Sequence, residues 1–183
     1  FFSAMWTSWA LYWWIASRSA KRTARKESLS SRLSYIAPLL ISIYLLSARN
    51  VPVAVLRERF VPGDSSTLAV AAALTAAGLL FAVWARRHIA GNWSASVTVK
   101  EGHELVTTGP YAILRHPIYS GLLLALVGSA IAVGEWRAVL AVALALLYFV
   151  PKLRLEERWM RQEFGEAYRV YCERTRALVP FVW

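Results

Sequence analysis

Cysteine is almost missing from this 183-residue chain: Cys172 stands alone, so no internal disulfide can form. Histidine is sparse too, and His88, His103 and His116 are too scattered for a metal-ligand pattern, which argues against metal catalysis. Acidic residues are few, 11 against 21 basic ones, for a formal net charge of +10. None of the nine glycines stands two residues from another, so the G-x-G turn of dinucleotide-binding folds is absent. There is no Walker loop, no H-E-x-x-H and no G-x-S-x-G. The common active sites of soluble enzymes are thereby excluded.

What the chain has in quantity is apolar surface: 57% hydrophobic residues and nine tryptophans, a membrane composition. Apolar runs fall at about 1–17, 33–48, 67–85, 118–133 and 137–151. Each is long enough to cross a bilayer if flanking residues extend it, the last two being short. The fold expected is all-α, a multi-pass transmembrane helical bundle of about five spans. Phe1 to Ser17 lacks the charged leading region and small-residue cleavage site of a signal peptide, so it is read as a span. Because the chain opens on Phe1 and not on methionine, that span is expected to lack its first turn. Gly134, Glu135 and Trp136 separate the last two runs and predict a tight antiparallel hairpin with an interfacial tryptophan.

The basic residues lie in blocks between the runs, which favours a membrane face over nucleic acid as their partner. Most fall after the first, third and fifth spans, which predicts an outside N-terminus and a cytoplasmic C-terminus; the alanine- and arginine-rich composition reads as prokaryotic, so the membrane expected is a prokaryotic inner (plasma) membrane. The segment from Arg18 to Arg32 reads as a juxtamembrane loop touching anionic lipid. Small residues recur at Ala69, Ala73 and Ala77 and at Gly121, Ala125 and Ser129, a spacing that lets helices approach closely. Residues 1–90 thus form one part, with three spans. Residues 91–183 form the other, with a long loop, the hairpin and a tail. The tail is predicted helical from Lys152 to about Phe164, broken at Gly165 and resumed through Tyr168 and Tyr171. Ser96 to Val99 is β-prone enough for a turn or hairpin.

The chemistry concentrates where the fourth run begins. Pro117 suits the first turn of a helix, so Arg115 and His116 sit at its N-terminus, where orphan N–H groups, the helix dipole and a guanidinium favour a carboxylate or phosphate. The hairpin brings this stretch to Glu156 and Glu157, which follow the other arm. The two carboxylates either pair with Arg115 and His116, bind cationic and hydroxyl parts of a ligand, or form a solvated helix start. His116 is equally open to a structural role. Tyr111 and Tyr119 either stack on a heterocycle or anchor at the interface. Asn92 and Ser94 read as loop caps.

Gly91-Asn92-Trp93-Ser94, Gly102-His103-Glu104-Leu105-Val106, Gly109-Pro110-Tyr111, Arg115-His116-Pro117-x-Tyr119, Glu156-Glu157, Phe164-Gly165-x-x-Tyr168-x-x-Tyr171 and Pro180 occur in this order. Together they resemble the isoprenylcysteine carboxyl methyltransferase family and its prokaryotic relatives over about residues 91 to 183. The resemblance implies an integral-membrane enzyme that transfers the methyl of S-adenosyl-L-methionine, held in a cytoplasmic pocket of the last helices and tail. It puts Tyr111, Arg115, His116, Pro117, Tyr119, Glu156 and Glu157 at cofactor-binding positions. It also implies a lipophilic, lipid-like acceptor, carboxylate first, with a phospholipid amine or a thiol second.

Methyl transfer from a sulfonium is an in-line displacement that asks for alignment, exclusion of water and charge neutralisation. Arg115 would orient a carboxylate, and a glutamate of the pair, Glu157 in the catalytic reading, would take a proton from an amine or thiol. Arg158 follows the pair where related sequences can carry an acid, so the local charge differs. Rival readings are a membrane reductase using a nicotinamide cofactor and a non-catalytic scaffold.

Overall fold

The computed structural model describes residues 1–18, 23–26, 29–48, 50–89, 98–100 and 104–179. Asn92, Ser94, the Gly91–Ser94 and Gly102–His103 elements of the resemblance and Pro180 lie outside the described residues. Among the described residues five α-helices make the architecture: α1 (Phe2–Ser17), α2 (Leu29–Ser47), α3 (Ser65–Ile89), α4 (Pro117–Val133) and α5 (Trp136–Arg174). An antiparallel pair of short strands, β1 (Thr23–Lys26) and β2 (Thr98–Lys100), ties the loop after α1 to the loop after α3. Of the β-prone stretch Ser96 to Val99, Thr98 and Val99 pair with the distant strand β1, and Ser96 and Val97 lie outside the described residues.

α3 and α5 are the described helices long and apolar enough to cross a membrane. At 1.5 Å per residue the 25 residues of α3 reach about 37 Å, more than the ~30 Å of hydrocarbon. Ile36–Ser47 and Pro117–Val133 are apolar but shorter. α3 begins sharply because Asp64 accepts hydrogen bonds from the Thr67 backbone N–H at 2.7 Å and the Ser66 hydroxyl at 2.8 Å, an N-cap that satisfies an orphan donor.

The tightest seam joins α3 to α4. A Cβ at Gly78 would lie 2.4 Å from the Ala125 nitrogen, and one at Gly121 2.6 Å from the Gly78 oxygen, so glycine at both positions is what permits this approach. Ala71, Thr75, Gly78 and Ala82 face Gly121, Ala125 and Gly128. The α4 row expected from sequence, Gly121, Ala125 and Ser129, is buried. The α3 row is not, since Ala69, Ala73 and Ala77 are exposed and the buried row lies on another face. α1 leans on this pair through Trp6, whose indole N–H donates to Ser129 Oγ at 3.0 Å.

α2 packs on α5 through Leu45 and Ala141, with Ser42 donating to the Ala141 carbonyl at 2.8 Å. The hairpin turns as expected at Gly134, whose φ of +70° caps α4, before Glu135 leads into α5. α5 then continues through Pro151 to Arg174 with a single non-helical residue, Gly165 (φ 51°, ψ −120°), where the sequence predicted a break. Its length carries the chain from the hairpin tip past the far end of α4, which puts Glu156 and Glu157 beside the start of α4.

Candidate functional site

A 3-10 turn (Gly109–Ala112) opens the site, with Pro110 at its start and Pro110 and Tyr111 buried. Gly109 has a φ of +58°, and a Cβ there would meet the His88 ring at 2.6 Å, so a side chain would break both the turn and its packing on the end of α3. His88 bonds Thr108 Oγ1 at 2.8 Å. The chain then runs beside the tail that follows α5. The N–H of Arg115 donates to the Arg176 carbonyl at 2.7 Å, that of His116 to the Ala177 carbonyl at 3.1 Å, and that of Arg176 to the Ile113 carbonyl at 3.1 Å. Ser120 Oγ donates to the Leu178 carbonyl at 2.5 Å and Tyr171 Oη to the Tyr111 carbonyl at 2.7 Å. The tail and the start of α4 are therefore one structural unit.

Into this unit α5 delivers its two carboxylates. Arg115 Nε donates to Glu157 Oε1 at 2.6 Å and its Nη1 to the Thr175 carbonyl at 2.7 Å. His116 caps α4 without a side-chain cap bond; its ring lies between the two glutamates, 3.3 Å from Glu157 Oε1 and 3.5 Å from Glu156 Oε2. Tyr119 Oη donates to Glu156 Oε1 at 2.5 Å, and its ring stacks between His116 and Phe149. Lys152 is buried one helical turn before Glu156, its Nζ 5.6 Å from the Tyr119 ring centroid. Pro117 is fully buried at the first position of α4. Arg161 reaches Glu157 Oε2 from outside at 3.6 Å.

Burial alone would raise the Glu157 pKa, but its bonds to His116 and Arg115 prevail and pull it down to about 2. Burial likewise opposes charge on His116, and again the carboxylates prevail, holding its pKa above the ordinary 6.5. Arg115, His116 and, one turn back, Lys152 thus surround the two carboxylates, mostly out of water, with the Glu156 side chain 25% exposed and Glu157 12%. Burial pushes the Tyr111 phenol well above its usual range, so it stays a protonated donor. Cys172, whose carbonyl lies 3.4 Å from Arg115 Nη1, also lines an open groove of about 420 Å³ with Arg161, Gly165, Glu166 and Arg169.

All of Arg115, His116, Pro117, Tyr119, Glu156 and Glu157 meet in this cluster, and Tyr111 adjoins it through Tyr171. Sequence reasoning passed over Lys152, counted as a cytoplasmic charge, and Ser120 and Thr175, which act with or through backbone carbonyls. A lysine four residues before Glu156 on a continuous helix was a readable signal; carbonyl capping leaves none. Among the described residues no group of three or more His, Cys, Asp or Glu side chains could hold a metal.

Two helices long and apolar enough to cross a membrane, α3 and α5, thus flank a buried ionic cluster at the start of α4. The model of the phospholipid methyltransferase family matches residues 66–167, more than half of the chain, and the chain belongs to that family. It is similar to protein-S-isoprenylcysteine O-methyltransferase B of Arabidopsis thaliana, 38% identical over 84 residues, which cover 45% of this chain and 43% of that protein. A probable protein-S-isoprenylcysteine O-methyltransferase of Oryza sativa subsp. indica is 33% identical over 84 residues, 45% of this chain and 44% of the relative. The cobalt-zinc-cadmium resistance protein CzcN of Cupriavidus metallidurans is 35% identical over 103 residues, 54% of this chain and 42% of the relative. The matches span less than half the length of these relatives.

Proposed function

We propose that this chain is an integral-membrane methyltransferase that uses S-adenosyl-L-methionine to methylate a carboxylate of a lipophilic, isoprenylcysteine-like acceptor. The observation that carries the proposal is the buried Arg115–Glu157–His116–Glu156–Tyr119 cluster at the start of α4, in a chain of this family. Its donor set suits the cofactor: Arg115 and His116 for a carboxylate, Glu156 and Glu157 for an amine and ribose hydroxyls, Tyr111 and Tyr119 for the adenine and sulfonium. The cofactor, when bound, supplies an electrophilic methyl group on sulfur. The chain's own part is to orient the acceptor carboxylate through Arg115, to keep water out and to hold charge without reorganisation, as ion pairs formed in advance do. Residues 91–183 form the catalytic region and 1–90 its membrane support. Five spans set the site on the cytoplasmic face of a prokaryotic inner membrane, and the acceptor enters from the bilayer.

The family description favours a second reading, in which the acceptor is the amine of a phospholipid headgroup. Glu157 would then take the proton, against a pKa held near 2 that makes it a poor base unless Arg115 turns away. That energetic objection is why the carboxylate ranks first. Calorimetric titration of S-adenosylhomocysteine into the protein in nanodiscs, with Arg115→Ala as control, tests the cofactor. Micromolar binding lost in the variant is expected. A folded protein that binds no S-adenosylhomocysteine overturns the reading. Labelled S-adenosylmethionine offered with prenylated cysteine or with phosphatidylethanolamine then separates the two acceptors.

A further inference from the structure

The outward face of α5 keeps one helical phase from the hairpin to the kink. Trp136, Leu140 and Leu147 are 48%, 41% and 60% exposed, an apolar stripe turned away from the bundle. At 3.6 residues per turn, positions 154, 158 and 161 fall within about 60° of arc with 136, 140 and 147. Arg154, Arg158 and Arg161 thus continue the stripe without rotation, and all three are exposed. Helical rise puts Arg154 about 27 Å and Arg158 about 33 Å beyond Trp136, which brackets the ~30 Å thickness of a hydrocarbon core. A tryptophan marks one boundary of this face and a row of guanidinium groups the other.

Charge names the occupant of that row. Neither Arg154 nor Arg158 forms an ion pair with a described residue, and they stand four apart on one helix, where like charges repel. We infer that this row is a docking surface for the anionic headgroups of the bilayer that α5 crosses, with a phosphodiester seated between Arg154 and Arg158. A phosphate there relieves the repulsion and takes bidentate bonds from two arginines. The site rests on the membrane reading of α5 but not on the methyltransferase reading. Arg161, which also reaches Glu157, links the headgroup layer to the buried cluster.

The test is native mass spectrometry of the full chain released from micelles holding equal amounts of phosphatidylglycerol and phosphatidylcholine. Wild type should retain phosphatidylglycerol preferentially, and R154Q/R158Q should lose the preference by about five-fold per arginine removed, the factor equivalent to about 1 kcal/mol per basic residue at an anionic surface. R154K/R158K should keep most of it. Equal retention of the two lipids by wild type, or a preference unchanged in R154Q/R158Q, overturns the docking surface. Circular-dichroism melting identifies a variant that has unfolded, and the single variants R154Q and R158Q then carry the comparison. Calorimetry with S-adenosylhomocysteine is read separately, so failure of the cofactor reading leaves this result standing or falling by itself. Recovery of the chain in the aqueous phase without detergent would remove the bilayer and overturn it.

Discussion

An arginine–glutamate pair closes each end of the α4–α5 hairpin, both with Nε–Oε distances of 2.6 Å, and the two do different work. At the tip, Arg137 and Glu135 are two residues apart, and Arg137 Nη1 donates to the Leu45 and Ala48 carbonyls at 2.6 Å, closing the C-terminal end of α2. The tip is further tied by Phe60 N–H to the Gly134 carbonyl at 2.9 Å and Trp136 N–H to the Glu58 carbonyl at 3.1 Å. At the other end Arg115 and Glu157 are 42 residues apart and share their bonds with His116, Glu156 and Tyr119. The tip pair fastens the hairpin turn to the end of α2. The far pair belongs to a network with spare partners, the condition for exchanging one of them for a ligand.

The comparison is sharpest where one residue is removed from each end. Arg137→Ala leaves Glu135 and two helix-end carbonyls without their donor and should cost about 3–5 kcal/mol of stability, read as a lowered melting temperature in nanodiscs. The folded fraction should bind S-adenosylhomocysteine as before. Arg115→Ala should do the reverse, because Glu157 keeps His116. Binding should weaken by about 1.5–3 kcal/mol, the range for a hydrogen bond to a charged group, with a smaller fall in melting temperature than in Arg137→Ala. If Arg137→Ala loses affinity without losing stability, the division between the two ends collapses. Tyr119→Phe removes one donor to Glu156 and should cost about 1.5 kcal/mol in the same binding titration.

Acidity separates the ends in another way. Glu157 is held below its ordinary 4.5, so its contribution is complete above that value and is lost as the pH falls through about 2. His116 is held above its ordinary 6.5, so its contribution is complete below 6.5 and is lost as the pH rises through the folded-state value. The site end should therefore be firmest between these limits and loosen on the alkaline side. Melting temperature against pH for wild type and His116→Gln checks this: the alkaline decline should be smaller in the variant, and an identical decline would assign it to another group.

How much of this the sequence disclosed depends on whether a residue's signal was local. The hairpin at Gly134 and the break at Gly165 were readable because a glycine between helical stretches tolerates positive φ. Arg115 and Glu157 were readable as partners once Pro117 fixed one arm of the hairpin and the spans fixed the other. The inward face of α3 was not: nearly every position from Leu68 to Ala85 is apolar or small, so the pattern has no phase, and the choice of Gly78 over Ala77 is made by α4. The tip staple was equally hidden, since Arg137 acts on carbonyls of a helix 89 and 92 residues away.

Arg161 is the mildest probe of the comparison, because it tests whether the site end is held by its buried members alone. Its guanidinium lies 3.6 Å from Glu157 Oε2, but its side chain is 64% exposed, so water screens the pair and ordering a long side chain offsets part of the attraction. Arg161→Ala should change stability by less than about 1 kcal/mol, with the effect shrinking further as salt is added. A loss comparable to that of Arg115→Ala would mean that the outer cation carries the cluster. The site end would then be a surface ion-pair network, and its likeness to the buried staple at the tip would be only one of distance.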